Sequence, residues 1–212
     1  MKANAGLLPI AELLTKLGAI NCRDLHKDAG GLSAFPRNRV IRCASLAYLE
    51  PGAMCKLARA APPVLYVDLR TPREVERDGG LGLLEVAGWT FLRLPIDEVA
   101  LAQPAQIVDY VCKLVDGTLY DLFLRESRSI IISCALGKDR TGLVVARLLA
   151  LLNYPHTDIV SDYLESNIDL SRSGDRLPYR FRGTQRGYAP VCESPVLKGV
   201  ISRPAILNLK SY

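Results

Sequence analysis

The stretch of sequence that decides the fold is residues 129–142, which read SIIISCALGKDRTG. It opens with a β-branched run at residues 129–133, which indicates a buried strand. Residues 134–139 then read as a loop with one glycine, and the apolar residues 141–152 have the length and composition of a buried helix. The order of strand, loop and buried helix is typical of an α/β fold.

Similar segments occur on both sides of this stretch. Apolar and β-branched runs predict further strands at residues 40–41, 63–69 and 89–95. Helical spacing, or a helix-starting Thr-Pro pair, predicts helices at residues 7–18, 72–77, 104–126 and 159–166. Residues 21–39 read as a surface loop. This alternation predicts a central, mostly parallel sheet flanked by helices.

Length and composition limit the classes of protein that fit. A chain of 212 residues suits one sizeable α/β domain, so we expect a single domain over residues 1–212. Hydrophobic residues make up 49% and charged residues 23%, which excludes a disordered chain or a coiled coil. The net charge of +5 comes wholly from the Arg-rich residues 168–212. A nucleic-acid binder would more often carry basic residues across its main fold, so we expect no nucleic-acid partner.

The cysteines and histidines bear on two questions: which redox compartment the protein occupies, and whether it needs a metal ion. Six scattered cysteines form no CxxC pair, and His26 and His156 are isolated, so the sequence predicts no metal and no cofactor. Scattered thiols suit a reducing compartment, and we expect a cytoplasmic protein, with export without a cleaved leader left open. Because no run reaches the roughly 18 apolar residues of a membrane span, we expect no stable membrane anchor.

Cys134 is the candidate nucleophile. It follows a buried strand directly and lies on a loop that opens a helix, where the helix dipole and unpaired backbone amides favour the attacking thiolate form. A buried inert thiol is the alternative reading of this residue. The other five cysteines read as small hydrophobic residues, although Cys43 could form a protective disulfide with Cys134.

The same loop has the composition of an anion cradle. Backbone amides from Ala135 to Arg140 would converge on phosphate oxygens, and Gly137 would permit the tight curvature. Arg140 would close the ring with a bidentate guanidinium contact, while Lys138 would reach towards the substrate anion or remain a solvated lysine. The residues expected to bind substrate are therefore Ala135, Leu136, Gly137, Lys138 and Thr141. A ring of donors beside an aligned nucleophile suits phosphoryl transfer through a phosphocysteine.

The loop resembles the HCxxGKDRTG signature of the bacterial atypical tyrosine phosphatases, the group that contains the mycobacterial secreted phosphatase B type. Ser133 stands where that signature has His. Further segments are similar to this family in the same order: Asn21 to Gly31 (NxRDLGG, here interrupted by residues 26–29), Arg42 to Leu46 (RSxxL), Val67 to Glu74 (DLRxxxE), Leu94 to Asp97 (LP) and Asp162 to Asn167 (DYLxSN). The resemblance implies a C-x5-R phosphatase fold and a phosphorylated substrate.

The general acid is open between two carboxylates. The resemblance favours Asp139, whose alternative role is to hold Arg140 or Lys138 in place. Asp97 is the second candidate, and its alternative role is a helix cap or turn. Thr141 would hydrogen-bond either the Cys134 sulfur or a backbone group. Asp68, Arg70 and Glu74 read as a structural salt bridge and capping set.

The substrate is the least determined part of the prediction. Members of the resembled family act on phosphorylated proteins or phosphoinositides, so the partner is a phosphorylated protein, a lipid headgroup or a small metabolite such as a sugar or nucleoside phosphate. The Arg-rich segment 168–212 is either a flap that attracts this substrate or a solvated surface. Its basic run comprises Arg172, Arg176, Arg180, Arg182 and Arg186.

Two other functions compete with phosphate ester hydrolysis. Ser133 in place of His would suit a pseudophosphatase that binds phosphate esters without turnover. Sulfur transfer of the rhodanese kind also uses a loop cysteine after a strand, but Arg140 and the KDRT sequence argue against it.

Overall fold

The architecture is taken from a computed structural model, which describes residues 8–26, 36–97, 103–173, 177–178, 181 and 194–205. These residues fall into two compact units. The first contains the described residues up to Pro95 together with Arg128–Gly137, and the second contains Ile96–Ser127 and the described residues from Lys138 onwards. The single domain over residues 1–212 stays a prediction.

A five-stranded sheet forms the centre of the first unit. Its strands are β1 (Arg23–Asp24), β2 (Val40–Ala44), β3 (Leu65–Asp68), β4 (Thr90–Arg93) and β5 (Ile130–Cys134). The order across the sheet is β1-β2-β5-β3-β4, and every neighbouring pair is parallel except β1 with β2. The predicted mostly parallel sheet is therefore confirmed, and β5, the strand predicted at residues 129–133, lies at its centre.

The inner strands owe their position to their composition. Every residue of β2, β3 and β5 is buried, as expected for apolar strands covered on both faces. The edge strand β4 is less buried. Strand β1 lies where a loop was expected, because Arg23 and Asp24 are extended by pairing with Arg42 and Ile41 and not by apolar composition.

Four helices of the first unit are α1 (Ile10–Lys16), α2 (Pro51–Ala60), α3 (Pro72–Asp78) and α4 (Gly82–Val86), and a 3-10 turn covers Leu46–Tyr48. Buried residues of α1, α2 and α4 form one apolar cluster with the sheet: Ile10, Leu14, Leu57, Leu84, Ile41, Tyr66 and Ile131. Helices α2 and α4 were not predicted. The structural role assigned to Asp68, Arg70 and Glu74 is confirmed: Arg70 pairs with Asp68 at 2.8 Å, and Glu74 completes a capping box with Thr71.

The second unit is helical in its described part. It contains α5 (Pro104–Leu114), a π turn (Val115–Leu119), α6 (Tyr120–Arg125), α7 (Asp139–Leu151), α8 (His156–Ser173) and α9 (Pro195–Ser202). Helix α7 is buried from Arg140 to Leu149 and packs against α5, α8 and α9, which explains its apolar sequence. Helix α8 is much longer than the predicted 159–166, and α9 was not predicted. No helix in the described ranges combines the length and apolar character needed to cross a membrane.

Candidate active site

The candidate loop lies between strand β5 and helix α7 along the chain. Strand β5 ends at Cys134 and helix α7 begins at Asp139, so residues 135–138 connect them. The first unit contributes the loop up to Gly137, and the second contributes Lys138 and the first turn of α7. The predicted order of buried strand, short loop and buried helix is therefore the observed one.

Cys134 lies at the carboxyl end of the central strand. Cys134 is 2% exposed, and its thiol forms no disulfide with another described cysteine. In the sheet register Cys134 lies opposite Ala44 of β2, and the parallel strands β2 and β3 lie on either side of β5. Ligand sites of parallel sheets lie at this end of the strands, where the loops after neighbouring strands meet.

Ser133 is fully buried in β5, and its hydroxyl lies among residues of the first unit. The Ser133 hydroxyl donates to the Cys134 carbonyl at 3.2 Å and also hydrogen-bonds the side chains of Cys43 and Tyr66. Burial raises the pKa of the Cys43 thiol well above its ordinary value, the nearby Cys22 adds to this, and the bond from Ser133 opposes it. Cys43 therefore stays protonated at neutral pH.

Three consecutive loop carbonyls accept hydrogen bonds from the first unit. The Ala135 carbonyl accepts from the Ser45 backbone amide at 3.1 Å. The Leu136 carbonyl accepts from the side-chain amide of Asn21 at 2.9 Å, and the Gly137 carbonyl accepts from the Arg42 guanidinium at 2.8 Å. The loop is thus tied to β2 and to the residues just before β1.

Gly137 has a conformation and a position that exclude a side chain. Its φ of +65° lies in the left-handed region, which favours glycine. A Cβ atom added there would lie 2.4 Å from the carbonyl carbon and oxygen of Cys43 and 2.6 Å from the Ala44 nitrogen. The tight curvature predicted for this glycine is therefore observed.

The second unit holds the remaining loop residues at the start of α7. Lys138 is only 4% exposed, and burial lowers the pKa of its ammonium group although the adjacent Asp139 opposes that shift. Asp139 lies in the first turn of α7, where a carboxylate is favoured by the helix dipole. Thr141 is fully buried, and its hydroxyl finds no hydrogen-bond partner among the described residues.

Within the second unit, Arg140 binds the segment that contains Asp97, the second acid candidate. Arg140 is 2% exposed and donates from Nη1 to the Ile96 carbonyl at 3.1 Å. Asp97, which is exposed, follows Ile96 directly, while Asp139 precedes Arg140. Both carboxylates thus belong to segments that meet at this guanidinium, and the choice between them stays open.

Asn21 and Arg42 contact the loop but were not predicted as site residues. The sequence contained both within segments similar to the phosphatase family, and that membership was the only available signal. Arg42 is fully buried, and Asn21 is 3% exposed with a φ of +49°. Their loop contacts span 95 and 115 positions along the chain, so no local pattern could have paired them.

The predicted substrate flap falls mostly outside the described residues. Arg172 is exposed in the last turn of α8, but Arg176, Arg180, Arg182 and Arg186 lie outside the described residues. In the part of the chain that the structure describes, no group of three or more His, Cys, Asp or Glu side chains could hold a metal ion.

Known proteins similar to the chain include one sequence relative and several structures. A protein of Cupriavidus necator named as a tyrosine-protein phosphatase is 35% identical over 71 residues, which are 34% of this chain. The chain matches 25% of that relative's length.

Three solved phosphatase structures are similar at low identity. Tk-PTP in its active form has 18% identity and a TM-score of 0.44, covering 78% of this chain and 93% of its own. A Neisseria meningitidis phosphatase structure has 17% identity and a TM-score of 0.43, covering 70% and 92%. TpbA of P. aeruginosa has 14% identity and a TM-score of 0.42, covering 77% and 84%.

A model of the tyrosine phosphatase family matches residues 14–197, which include the sheet, the candidate loop and most of the helical unit. This match covers well over half of the chain, and the chain belongs to the tyrosine phosphatase family.

Proposed function

We propose that the chain is a cysteine-dependent phosphomonoesterase that works through a phosphocysteine on Cys134. The observation that carries this proposal is the arrangement of the loop. A cysteine ends the central buried strand, and the carbonyls of the next three residues accept hydrogen bonds from other residues of the first unit. An arginine then lies in the first turn of a buried helix. Membership of the tyrosine phosphatase family supports the same chemistry.

The first step transfers the phosphoryl group to the enzyme. The Cys134 sulfur attacks phosphorus, an S–P bond forms and the bond from phosphorus to the leaving oxygen breaks. Asp139 or Asp97, as a carboxylic acid, gives its proton to that oxygen. The backbone amides from Ala135 to Arg140 and the Arg140 guanidinium bind the equatorial oxygens, where charge is spread in the transition state.

The second step restores the enzyme. Water attacks phosphorus, the S–P bond breaks, and the carboxylate formed in the first step accepts the proton of the water. Inorganic phosphate then leaves the loop. Lys138 adds positive charge beside the anion, and the chain's own groups supply the electrostatic stabilisation, so we expect activity to persist in EDTA.

Family membership and charge support the substrate classes proposed for the chain. The name of the Cupriavidus necator relative favours phosphotyrosine, and phosphoinositides or small sugar and nucleoside phosphates carry the same dianionic group. The Arg-rich residues 168–212 would attract any of these anions. Turnover of a panel with one member of each class would rank them.

Hydrolysis of p-nitrophenyl phosphate by the purified protein tests the proposal. We expect turnover by the wild type and a loss of at least about 10³-fold in Cys134→Ser, because serine is a far weaker nucleophile in this position. Cys55→Ser is the matched control, since Cys55 is exposed on α2, and its activity should be unchanged. Wild-type rates in Cys134→Ser would overturn the proposal.

A pseudophosphatase is the second candidate, because Ser133 replaces the histidine of the resembled signature and its hydroxyl is bonded to Cys43 and Tyr66. Vanadate binding without hydrolysis of any phosphate ester between pH 5 and 9 (roughly the range in which such groups titrate) would favour it over the enzyme.

A further inference from the structure

We propose that Asn21 and Arg42 are positioning residues that hold the candidate loop in its anion-binding conformation by bonding its carbonyls. The inference rests on the proposed function, because it concerns the same loop. Neither residue touches the reacting atoms in this proposal. Both act through the peptide groups of Leu136 and Gly137, whose carbonyls they bind at 2.9 and 2.8 Å.

The geometry of the peptide bond links these carbonyls to the anion site. In a trans peptide the carbonyl of one residue and the N–H of the next point in opposite directions, and the described residues contain no cis bond. Bonds to the carbonyls of Ala135, Leu136 and Gly137 therefore turn the N–H groups of residues 136–138 to the opposite side of the loop. Successive amides that point to one side form an anion-binding concavity.

Asn21 is itself held in the orientation that this role requires. Arg23 donates from Nη1 to the Asn21 side-chain oxygen at 2.8 Å, so the amide nitrogen is the end that faces the Leu136 carbonyl. The φ of +49° is tolerated by asparagine more readily than by most residues. Two hydrogen bonds in series, from Arg23 to Asn21 and from Asn21 to Leu136, thus hold the Asn21 side chain in place.

Arg42 provides the stronger of the two side-chain bonds. It is fully buried in β2, and its guanidinium reaches the Gly137 carbonyl from the strand next to β5. A charged donor makes a shorter and stronger bond than a neutral one. Because Gly137 has backbone freedom that other residues lack, its peptide is the one that most needs an external bond to stay in place.

The experiment compares five variants with the wild type, using inhibition of p-nitrophenyl phosphate hydrolysis by vanadate. Asn21→Gly removes the amide donor but tolerates the positive φ, and Arg42→Met removes the charged donor. Asn153→Gly is the matched control for the first, because Asn153 also has a positive φ of 59°. Arg39→Met is the control for the second. The Arg39 guanidinium also donates to a backbone carbonyl, but that carbonyl belongs to Arg128, which precedes β5, and not to the candidate loop.

We expect the inhibition constant for vanadate to rise about tenfold in Asn21→Gly and about tenfold to 100-fold in Arg42→Met. Neither control should change it. Arg42→Lys, which retains a cationic donor, should recover part of the affinity lost in Arg42→Met. A merely structural role would lower the folded fraction, and therefore kcat, while the folded molecules kept the wild-type vanadate constant.

Folded Asn21→Gly and Arg42→Met with unchanged vanadate constants would overturn the proposal, as would equal losses in the two controls. If Arg42→Met does not fold, the vanadate inhibition constant of Asn21→Gly alone tests the proposal. If the wild type hydrolyses no phosphate ester, the proposed function fails, and calorimetric titration with inorganic phosphate tests the positioning role in the same variants. A wild type that binds no phosphate would overturn both.

Discussion

At the scale of single residues, Gly137 is the position where the loop tolerates least change. A left-handed φ costs a non-glycine residue about 1–2 kcal/mol. An added Cβ would also lie 2.4 Å from backbone atoms of Cys43, which belong to a buried strand and cannot move aside cheaply. The loop would have to leave its bonds to β2, and the amides following those carbonyls would turn with it.

Gly137→Ala should therefore lower kcat/KM for p-nitrophenyl phosphate by about 100-fold or more, since a displacement of about 1 Å at a reacting group has an effect of this size. Gly52→Ala is the control, because Gly52 lies in α2 and a Cβ there meets no atom within 4 Å. Its activity should match the wild type. An active Gly137→Ala protein would show that the loop does not need the observed conformation.

Single residues differ in how far the sequence could assign them. Cys134 and Gly137 could be placed, because a buried strand, a loop and a helix within fourteen positions leave few arrangements for the chain. Asn21 and Arg42 could not, since their roles depend on distant pairing with the loop. The choice between Asp139 and Asp97 as the acid stays open: Asp139 precedes Arg140 in the chain, and Asp97 follows Ile96, whose carbonyl Arg140 binds.

At the scale of elements, a buried ion pair joins three parts of the helical unit. Arg147 of α7 pairs with Asp116 of the π turn through two bonds of 2.7 and 2.6 Å. The same guanidinium donates to the carbonyls of Val200, Arg203 and Pro204 at the end of α9. The side chains of Arg147 and Asp116 are almost fully buried, so the loss of one leaves the other without its partner.

Arg147→Met should lower the free energy of unfolding by about 3–5 kcal/mol, because it leaves the buried Asp116 carboxylate uncompensated. Arg125→Met removes an exposed pair with Asp121 instead and should cost less than about 1 kcal/mol. Urea denaturation of the two variants measures the difference. Equal stabilities for Arg147→Met and the wild type would contradict the structural role given to this pair.

Elements with a strong apolar signal could be predicted, and weaker ones could not. Strand β5 and helix α7 were placed to within two residues, because both are apolar and buried. Helices α2 and α4 were missed because each has one buried apolar residue and so lacks a clear stripe. Helix α8 was predicted too short, since its second half is mostly polar and only Leu170 and Ser173 are buried beyond Ser166.

At the scale of the whole molecule, alternation along the chain predicted the sheet but could not give its order. The strands follow the order β1-β2-β5-β3-β4, in which the last strand enters between two earlier ones. No local pattern encodes the insertion of β5 between β2 and β3. This insertion makes β5 the central strand, and Cys134 is its last residue. The excess positive charge of residues 168–212 is a global property that the sequence alone shows, and its role as a flap stays a prediction.

The most direct test of the proposed phosphocysteine is to identify the residue that carries phosphate during turnover. The wild-type protein, mixed with p-nitrophenyl phosphate and quenched in denaturant within milliseconds, would be digested and its peptides analysed by mass spectrometry. We expect phosphate on the sulfur of Cys134 and on no other residue. Phosphate on a different side chain, or steady hydrolysis with no phosphorylated peptide at any quench time, would contradict it.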